Sequence, residues 1–282
     1  AATTAALAGQ LGGDGLVAYS PTGTMTGLEL LARRRANVCA LHWGGVEHSA
    51  HQHALLLRRF GASRQWALVR LALREQGVIL RRGLAVEGIE TLAAFDYRWA
   101  MRQPGAGSRH FLESALASRG FSAADCSVVA EARSEREAAA FVAREDADCA
   151  PGTRAAATEF GLGFLALGWE AFDLALPREI LFRRLFQDLL AAHGDLRSQT
   201  LARRLGGYDL APLGRVLGLL GPQRPLDRGG FLGPLFAAAP AAVADGGQHR
   251  LGDLAFSPGD EFELDGTGQV RVALDVLNIG HG

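Results

Sequence analysis

The sequence has few of the features that mark specialised classes of protein. It contains three cysteines in 282 residues, far apart and outside any Cys-x-x-Cys spacing, which indicates neither a disulfide framework nor a zinc site. The formal net charge is −1, so no overall basic field attracts a nucleic-acid backbone. No apolar run approaches the about 18 residues of a membrane span, and no signal-peptide pattern opens the chain. We therefore expect a cytoplasmic chain with no membrane or nucleic-acid partner of its own.

Signatures of common enzyme and nucleotide-binding families are also missing. The sequence has no GxSxG nucleophile elbow and no GxxxxGK(S/T) phosphate loop, and no GxGxxG follows its first predicted strand. What it does have is ordinary for a soluble globular chain, with 48% hydrophobic and 21% charged residues. The length accommodates two lobes of about 100 to 150 residues each.

Short apolar segments alternate with helical ones along most of the chain, which predicts an α/β fold built on mostly parallel strands. Residues 38–41 and 97–101 are examples of predicted strands, and residues 135–144 form a predicted helix. Four further strands are predicted as two separate pairs, residues 67–73 with 77–80 and residues 164–167 with 172–176. From about Leu217 the chain becomes rich in Pro, Gly and Ala, which predicts a linker, and β character returns after residue 260.

Three loops share one design, in which a predicted strand is followed by Gly with Ser or Thr and then by a helix. They are residues 20–26, 105–109 and 152–154. The first backbone N–H groups of a helix have no intrahelical acceptor and carry about half a positive charge, so such loops bind anions. The ends of parallel strands share one edge of a sheet, and we expect the three loops to converge there.

The simpler explanation of each loop is that Thr24, Ser108 and Thr153 cap their own helices. The side chain of Arg109 either contacts the anion or pairs with a carboxylate. With both alternatives open, the candidate ligand-binding residues of the three loops are Thr22, Gly23, Thr24, Gly105, Gly107, Ser108, Arg109, Gly152 and Thr153.

The second of these loops lies in a segment that resembles the signature of a known family. Residues 102–109 read Arg-Gln-Pro-Gly-Ala-Gly-Ser-Arg, followed by Leu112 and Gly120. This segment resembles the signature of periplasmic-binding-protein-like domains of the molybdate-binding type. Four further segments resemble motifs of that family in the same order: residues 27–31 with His42, residues 147–156, residues 161–174 and residues 207–214. The resemblance covers about residues 7–216, so it leaves out the C-terminal tail.

The resemblance implies a type II periplasmic-binding-protein-like fold, with two α/β lobes around a ligand cleft. Lobe 1 would comprise residues 1–80 and 174–216, lobe 2 residues 81–173, and residues 217–282 a linker and a C-terminal β-rich appendage. The resemblance also implies a sensor or substrate-binding domain that binds a small oxyanion, molybdate or tungstate by preference, without catalysis, cofactor or metal. In the family this domain is often joined to a DNA-binding module or a molybdopterin-biosynthesis protein, and a homodimer is left open.

A competing hypothesis is a hydrolase or a metal-dependent enzyme. It would use Ser108 together with the histidine-rich region that contains His42, His48 and His51, of which the last two have i,i+3 spacing. A polar loop with solvated or hydrogen-bonded histidines is the simpler explanation of the same residues.

The C-terminal tail carries a separate prediction. The family has a strand before its first helix, whereas Thr3 and Thr4 already stand where they would cap that helix, close to the anion site. Residues 270–279 are apolar enough for a strand buried on both faces. We therefore predict that they take the first-strand position, within the chain or by exchange with a second copy, and bring His281 near Thr3 and Thr4. The alternative is a separate β appendage or dimerisation hairpin formed by residues 260–279.

Overall fold

The computed structural model describes residues 17–60, 66–220 and 270–273, all of which belong to one compact unit. The strands are β1 Val17–Tyr19, β2 Val38–Leu41, β3 Trp66–Leu80, β4 Arg98–Arg102, β5 Ser127–Ala132, β6 Cys149–Thr153, β7 Gly163–Pro177, β8 Tyr208–Asp209, β9 Val216–Leu220 and β10 Val270–Ala273. The helices are α1 Thr24–Ala32, α2 Ser49–Arg59, α3 Ile89–Ala94, α4 Gly107–Ala117, α5 Glu135–Ala143, α6 Arg154–Glu159, α7 Arg178–Leu181, α8 Arg184–Gly194 and α9 Leu196–Leu205. The prediction of an α/β fold is confirmed.

The described strands form one mixed sheet. Their order is β1-β10-β2-β7-β3-β6-β4-β5, with β8 and β9 paired to β3 outside this path. At one end β1, β10 and β2 are parallel, and at the other end β6, β4 and β5 are parallel. The two central strands, β7 and β3, are antiparallel to each other and to their outer neighbours β2 and β6. Within each parallel group, the loops that follow the strands therefore lie at a common edge.

The two central strands are much longer than the sequence suggested. Each has 15 residues, and the predicted division of each into two short strands is wrong. The polar residues between the apolar runs continue the ladder instead of ending it: Arg74 lies opposite Glu170, and both side chains are buried. The backbone forms the ladder bonds whatever the side chains are, so a buried ion pair interrupts the hydrophobic pattern without interrupting the strand.

The central strands join two halves of the sheet. The first half-sheet consists of β1, β10, β2 and β9 with the parts of β3 and β7 that pair with them, and the second half-sheet consists of β4, β5, β6 and the remaining parts. Each half has hydrophobic clusters of its own, around Val69 and Leu57 in the first and around Ile79 and Leu112 in the second. Hydrogen bonding nevertheless makes them one sheet, so the residue ranges of the two lobes stay a prediction.

The C-terminal strand β10 lies between β1 and β2 and is parallel to both. Val270 pairs with Val17, and Val272 pairs with Val38. The first-strand position that the sequence predicts for residues 270–279 is in this part of the sheet. Thr3, Thr4 and His281 lie outside the described residues.

The linker predicted from Leu217 onward is wrong for residues 217–220, which belong to a strand. Strand β9, Val216–Leu220, pairs antiparallel with the first part of β3. Its sequence, Val-Leu-Gly-Leu-Leu, is apolar enough to add to a sheet, and a single glycine weakens a strand without excluding it. Among the described residues, no helix is both long enough and apolar enough to cross a membrane.

Candidate functional site

Two helices of the described chain begin without a side-chain cap at the same place in the fold. The N-cap residue of α1 is Gly23 and that of α4 is Ala106, and neither has a side-chain acceptor. Side chains of Ser134, Thr153 and Asp195 cap α5, α6 and α9, whereas α2, α3, α7 and α8 also begin without a side-chain cap. The first amides of α1 and α4 therefore depend on other acceptors.

The uncapped ends of α1 and α4 contact each other. The Met25 amide donates a hydrogen bond of 3.2 Å to the Gly105 carbonyl. Gly105 has a φ of 81°, and a Cβ at this position would lie 3.0 Å from the Met25 side chain. At Gly23, with a φ of 79°, a Cβ would lie 3.1 Å from Nε2 of Gln103. The two glycines thus allow backbone from the two helix ends to approach closely.

His42, which directly follows β2, lies against both helix ends. The Thr24 hydroxyl donates to the His42 carbonyl at 3.2 Å, and the His42 amide lies 3.4 Å from the same hydroxyl oxygen. On the other side, a Cβ on Gly107 would lie 2.2 Å from the His42 carbonyl oxygen and 2.4 Å from its Nδ1. Glycine is therefore required at the first residue of α4, and the predicted loops 20–26 and 105–109 do converge.

Ser108 is held by a buried arginine. Its Oγ accepts a 3.2 Å hydrogen bond from Nη1 of Arg102, and both side chains are buried. Arg109, in contrast, donates to the Glu113 carboxylate at 2.7 Å and to the Arg102 carbonyl at 3.1 Å. Of the two arrangements considered for Arg109, the structure shows the pairing with a carboxylate. Thr22 is half-buried, and its hydroxyl donates to the Gly23 carbonyl at 3.3 Å.

In the third predicted loop, residues 152–154, the threonine caps its own helix. The Thr153 hydroxyl accepts from the Ala156 amide at 3.4 Å, which caps α6, and it donates to Glu135 at 3.2 Å. A Cβ on Gly152 would lie 2.6 Å from Cδ1 of Ile79, so this glycine serves packing. The hydroxyl of this loop is engaged in the protein, and its part in ligand binding stays a prediction.

Behind His42 lies a buried ionic cluster, which we call the hinge cluster: His42, Arg74, Gln76, Glu135 and Glu170. One Glu170 oxygen accepts from Nε of Arg74 at 2.9 Å and from Gln76 at 2.8 Å, and the other lies 2.7 Å from Nδ1 of His42. Nη2 of Arg74 also bonds Glu170 and lies 3.6 Å from Glu135. The cluster joins β2, β3, β7 and α5, and so ties both half-sheets together.

Charge pairing dominates the electrostatics of the hinge cluster. Burial alone would raise the pKa of Glu170, but His42 and Arg74 overcome this effect and lower that pKa to about 2. Burial would likewise lower the pKa of Arg74, but Glu170 and Glu135 raise it. Burial raises the pKa of the neighbouring Tyr208 phenol to about 12. Arg74 and Glu170 are therefore charged at neutral pH, and Tyr208 is neutral.

A second buried ion pair fixes the chain next to His42. Nδ1 of His53 lies 2.8 Å from Asp173, which also binds Arg70, and Nε2 of His53 accepts from the Trp43 amide at 3.1 Å. The indole ring of Trp43 stacks on the imidazole of His110 in α4, with centroids 4.1 Å apart. The loop after β2 is therefore anchored to the first half-sheet and contacts the helix of the second.

Comparison with known proteins agrees with this architecture. A family profile described as PBP superfamily domain matches residues 5–194. The chain belongs to this family of periplasmic-binding-protein-like domains. No curated protein gives a significant match.

Several solved structures are similar to this PBP-like chain. XAC2383 from Xanthomonas citri bound to chloride ion is 14% identical to this chain, with a TM-score of 0.40. The match covers 72% of this chain and 77% of XAC2383. The ancestral amino acid-binding protein AncCDT-1 is 14% identical, with coverages of 72% and 82% and a TM-score of 0.44. The alkanesulfonate-binding protein SsuA from Xanthomonas axonopodis pv. citri bound to MOPS is 15% identical, with coverages of 66% and 65% and a TM-score of 0.40.

The structure does not bring together all the residues of the competing enzyme hypothesis. His48 and His51 are exposed, whereas His42 is buried against Glu170, so the three histidines do not form one site. Among residues 17–60, 66–220 and 270–273, no group of three or more His, Cys, Asp or Glu side chains could hold a metal ion. The Ser108 oxygen accepts from the Arg102 guanidinium.

Sequence reasoning missed most of the hinge cluster. Arg74, Gln76, Glu135 and Glu170 lie in or next to predicted strands and helices, where charged residues are usually solvated. The available signal was the pair of interruptions in otherwise apolar runs, one at Arg74 and one at Glu170. Two interruptions of opposite charge could have been matched to each other only if the pairing of the two segments had been known.

Proposed function

We propose that this PBP-like chain binds a small oxyanion between the N-terminal ends of α1 and α4, without chemical conversion, as a ligand sensor or substrate-binding domain. The observation that carries the proposal is the meeting of two uncapped helix ends, at Gly23 and Ala106. Helices of nine and eleven residues both present their positive ends there.

Hydrogen-bonding groups beside the helix ends support the same proposal. The Gly105 carbonyl oxygen accepts from the Met25 amide, and in our proposal an oxygen of the anion replaces it as the acceptor of this amide. Ser108 accepts from Arg102 with its lone pair, which leaves its own proton available for donation to an anion. The binding residues we propose are therefore Thr24 and Ser108 with the first backbone amides of both helices.

Tetrahedral oxyanions are the ligand class that suits such a site. Each of their oxygens accepts several hydrogen bonds, and the backbone amides of two helices supply donors from opposite sides. Among these anions we favour molybdate or tungstate, because the segment 102–109 resembles the motif of the molybdate-binding type. A joined or partner DNA-binding module, a homodimer and a cytoplasmic location remain parts of the same proposal.

The proposal is tested by thermal unfolding of the full chain with molybdate, tungstate, sulfate or phosphate, followed by calorimetric titration. A ligand that binds the folded state stabilises it by RT ln(1 + [L]/Kd), so the midpoint must rise with anion concentration and more than in chloride of equal ionic strength. No specific shift with any of the four anions would contradict the proposal.

Substitution of one serine locates the site. We expect Ser108→Ala to weaken binding by about 1 to 2 kcal/mol, because one charge-assisted hydrogen bond to the anion is lost. Ser114→Ala is the matched control, since Ser114 is exposed on the same helix and donates to the His110 carbonyl. Equal affinities of the two variants would place the anion elsewhere.

A further inference from the structure

Two buried serines of the described chain accept a hydrogen bond from a buried arginine. Nη2 of Arg70 donates to Oγ of Ser49 at 3.3 Å. Nη1 of Arg102 donates to Oγ of Ser108 at 3.2 Å. The two hydroxyl groups differ in what they donate to. Ser49 donates to the Val46 carbonyl at 2.8 Å, whereas no residue in the described ranges accepts from Ser108.

The hydroxyl hydrogen of Ser108 therefore lacks an acceptor in the described protein. Such buried donors are uncommon, because the bond to water that is lost on folding is not replaced. Ser108 is 1% exposed and lies in the first turn of α4, at the proposed anion site. Farther along the same helix, Ser114 donates to the His110 carbonyl of the preceding turn at 2.8 Å. No helical turn precedes Ser108, so its acceptor has to come from outside the helix.

Arg102 is held in place by groups other than Ser108. It is the last residue of β4 and is fully buried. Its Nε donates to Oε1 of Gln103 at 3.1 Å, and its Nη2 donates to the Arg133 carbonyl, directly after β5, at 3.4 Å. A Cβ on Gly23 would in turn lie 3.1 Å from Nε2 of Gln103. The guanidinium is thus connected to both helix ends, directly at α4 and through Gln103 at α1.

A guanidinium can only donate hydrogen bonds, and this property restricts the direction of the Ser108 hydroxyl. The hydroxyl hydrogen cannot point at Arg102, because the guanidinium offers no acceptor, so it takes one of the other directions around Oγ. The positive charge also polarises the O–H bond and makes its hydrogen a stronger donor. An anion at the helix ends would therefore meet a hydroxyl that is already oriented, which lowers the entropic cost of binding.

We propose that Arg102 is a positioning residue of the anion site, which directs the hydroxyl hydrogen of Ser108 toward the anion without touching the anion itself. This inference rests on the proposed function of the same site and assigns a role to a residue that lies behind it. The contribution of Ser108 to affinity should then depend on the presence of Arg102.

The direct test is a double-mutant cycle of Arg102→Met and Ser108→Ala in the full chain. Calorimetric titration with molybdate, tungstate, sulfate and phosphate measures the affinities. We expect Ser108→Ala alone to lower affinity about 5- to 30-fold. In the Arg102→Met background the same substitution should lower it less than about twofold, because the hydroxyl there has lost its preferred direction. Damage to the fold alone would lower affinity by the same factor in both backgrounds.

Ser49→Ala is the matched control for this cycle. It also removes a hydroxyl that accepts from a buried arginine, but the Ser49 hydrogen is already donated to the Val46 carbonyl. We therefore expect Ser49→Ala to leave affinity unchanged, both in the wild type and together with Arg102→Met.

Arg102→Lys provides a second cycle should Arg102→Met fail to fold. Lysine keeps the positive charge, but its side chain ends a bond short of the Nη atoms and lacks the planar fork. In this background too, Ser108→Ala should have little effect on affinity.

The outcomes are distinguishable. An equal loss from Ser108→Ala in the wild type and in the folded Arg102 variant overturns the inference and leaves the proposed function standing. A loss from Arg102→Met without any loss from Ser108→Ala also overturns it, because Arg102 would then act independently of Ser108. Absence of binding by all four anions overturns the proposed function and this inference with it.

Discussion

At the scale of residues, Glu170 binds three other side chains of the hinge cluster. Its two oxygens bind Arg74 and Gln76, which both lie in β3, and His42, which lies in the loop after β2. Removal of one partner from a buried ion pair leaves an uncompensated charge in a region without water. The contribution of this residue to stability can therefore be measured by a conservative replacement.

We expect Glu170→Gln to lower the free energy of unfolding by about 3 to 5 kcal/mol, because the Arg74 guanidinium stays buried without its closest carboxylate. Urea denaturation at neutral pH measures this loss. Glu29→Gln is the control, since Glu29 and Arg33 form an exposed pair at 4.0 Å that should contribute well under about 1 kcal/mol. Similar losses in both variants would contradict the assignment.

The stability of the fold in acid should depend on the protonation of Glu170. The folded-state pKa of Glu170, about 2, lies below its ordinary value of 4.5. Its contribution is therefore present above pH 4.5 and is lost as the pH falls toward about 2. In Glu170→Gln this part of the acid destabilisation should be absent, and an unchanged pH dependence between these limits would count against it.

The sequence alone indicates some residues of the proposed anion site, but not the buried ion pair behind it. The position of Thr24 and Ser108 in the first turn of a helix could be predicted, because Gly with Ser or Thr before a helix is a local pattern with a local physical cause. The ion pair of Arg74 with Glu170 could not be predicted, because the two residues are 96 positions apart in the chain. For Arg109 the sequence leaves an anion and a carboxylate open as partners, and in the structure Glu113, one helical turn later, binds it.

At the scale of elements, the three loops of one design have two different roles. Loops 20–26 and 105–109 precede helices without side-chain caps, whereas Thr153 caps α6. We expect Thr153→Ala to cost about 1 kcal/mol of folding stability, the usual loss of an N-cap, and to leave anion affinity unchanged. Thermal unfolding and calorimetric titration of one sample measure both quantities. A loss of affinity as large as that of Ser108→Ala would show that Thr153 contributes to anion binding and would contradict this prediction.

Strand β10 provides a second test at this scale. The register pairs Ala273 with Cys39 of β2, and neighbouring strands have a spacing of about 4.8 Å, which a disulfide can bridge. We expect Ala273→Cys to form a disulfide with Cys39 under mild oxidation. Arg271→Cys is the control, since Arg271 pairs with Ala18.

Non-reducing electrophoresis and mass spectrometry of the Ala273→Cys variant distinguish three outcomes. A cross-link within one chain shows that the chain completes its own sheet, and a covalent dimer shows that a second copy supplies the strand. Absence of any Cys39 cross-link would contradict the placement of β10. The sequence could suggest this strand from its apolar pattern, but a separate appendage or hairpin remained as the alternative.

At the scale of the whole molecule, the α/β class and the family could be predicted, because alternating strands and helices and several ordered motifs each point to them. The way in which the halves meet could not be predicted. The contact of Met25 with Gly105 and the stacking of Trp43 on His110 join loops that are far apart in the chain. Such contacts depend on how β3 and β7 run through both half-sheets, which no local pattern encodes.

The central claim is that an oxyanion binds between the first amides of α1 and α4. Crystals of the chain grown with tungstate test it most directly, because tungsten gives a strong anomalous signal that locates the anion. We predict an anomalous peak within hydrogen-bonding distance of the Ser108 hydroxyl and of the backbone amides that follow Gly23 and Ala106. A well-occupied tungstate bound elsewhere on the chain, with these helix ends empty, would contradict the account.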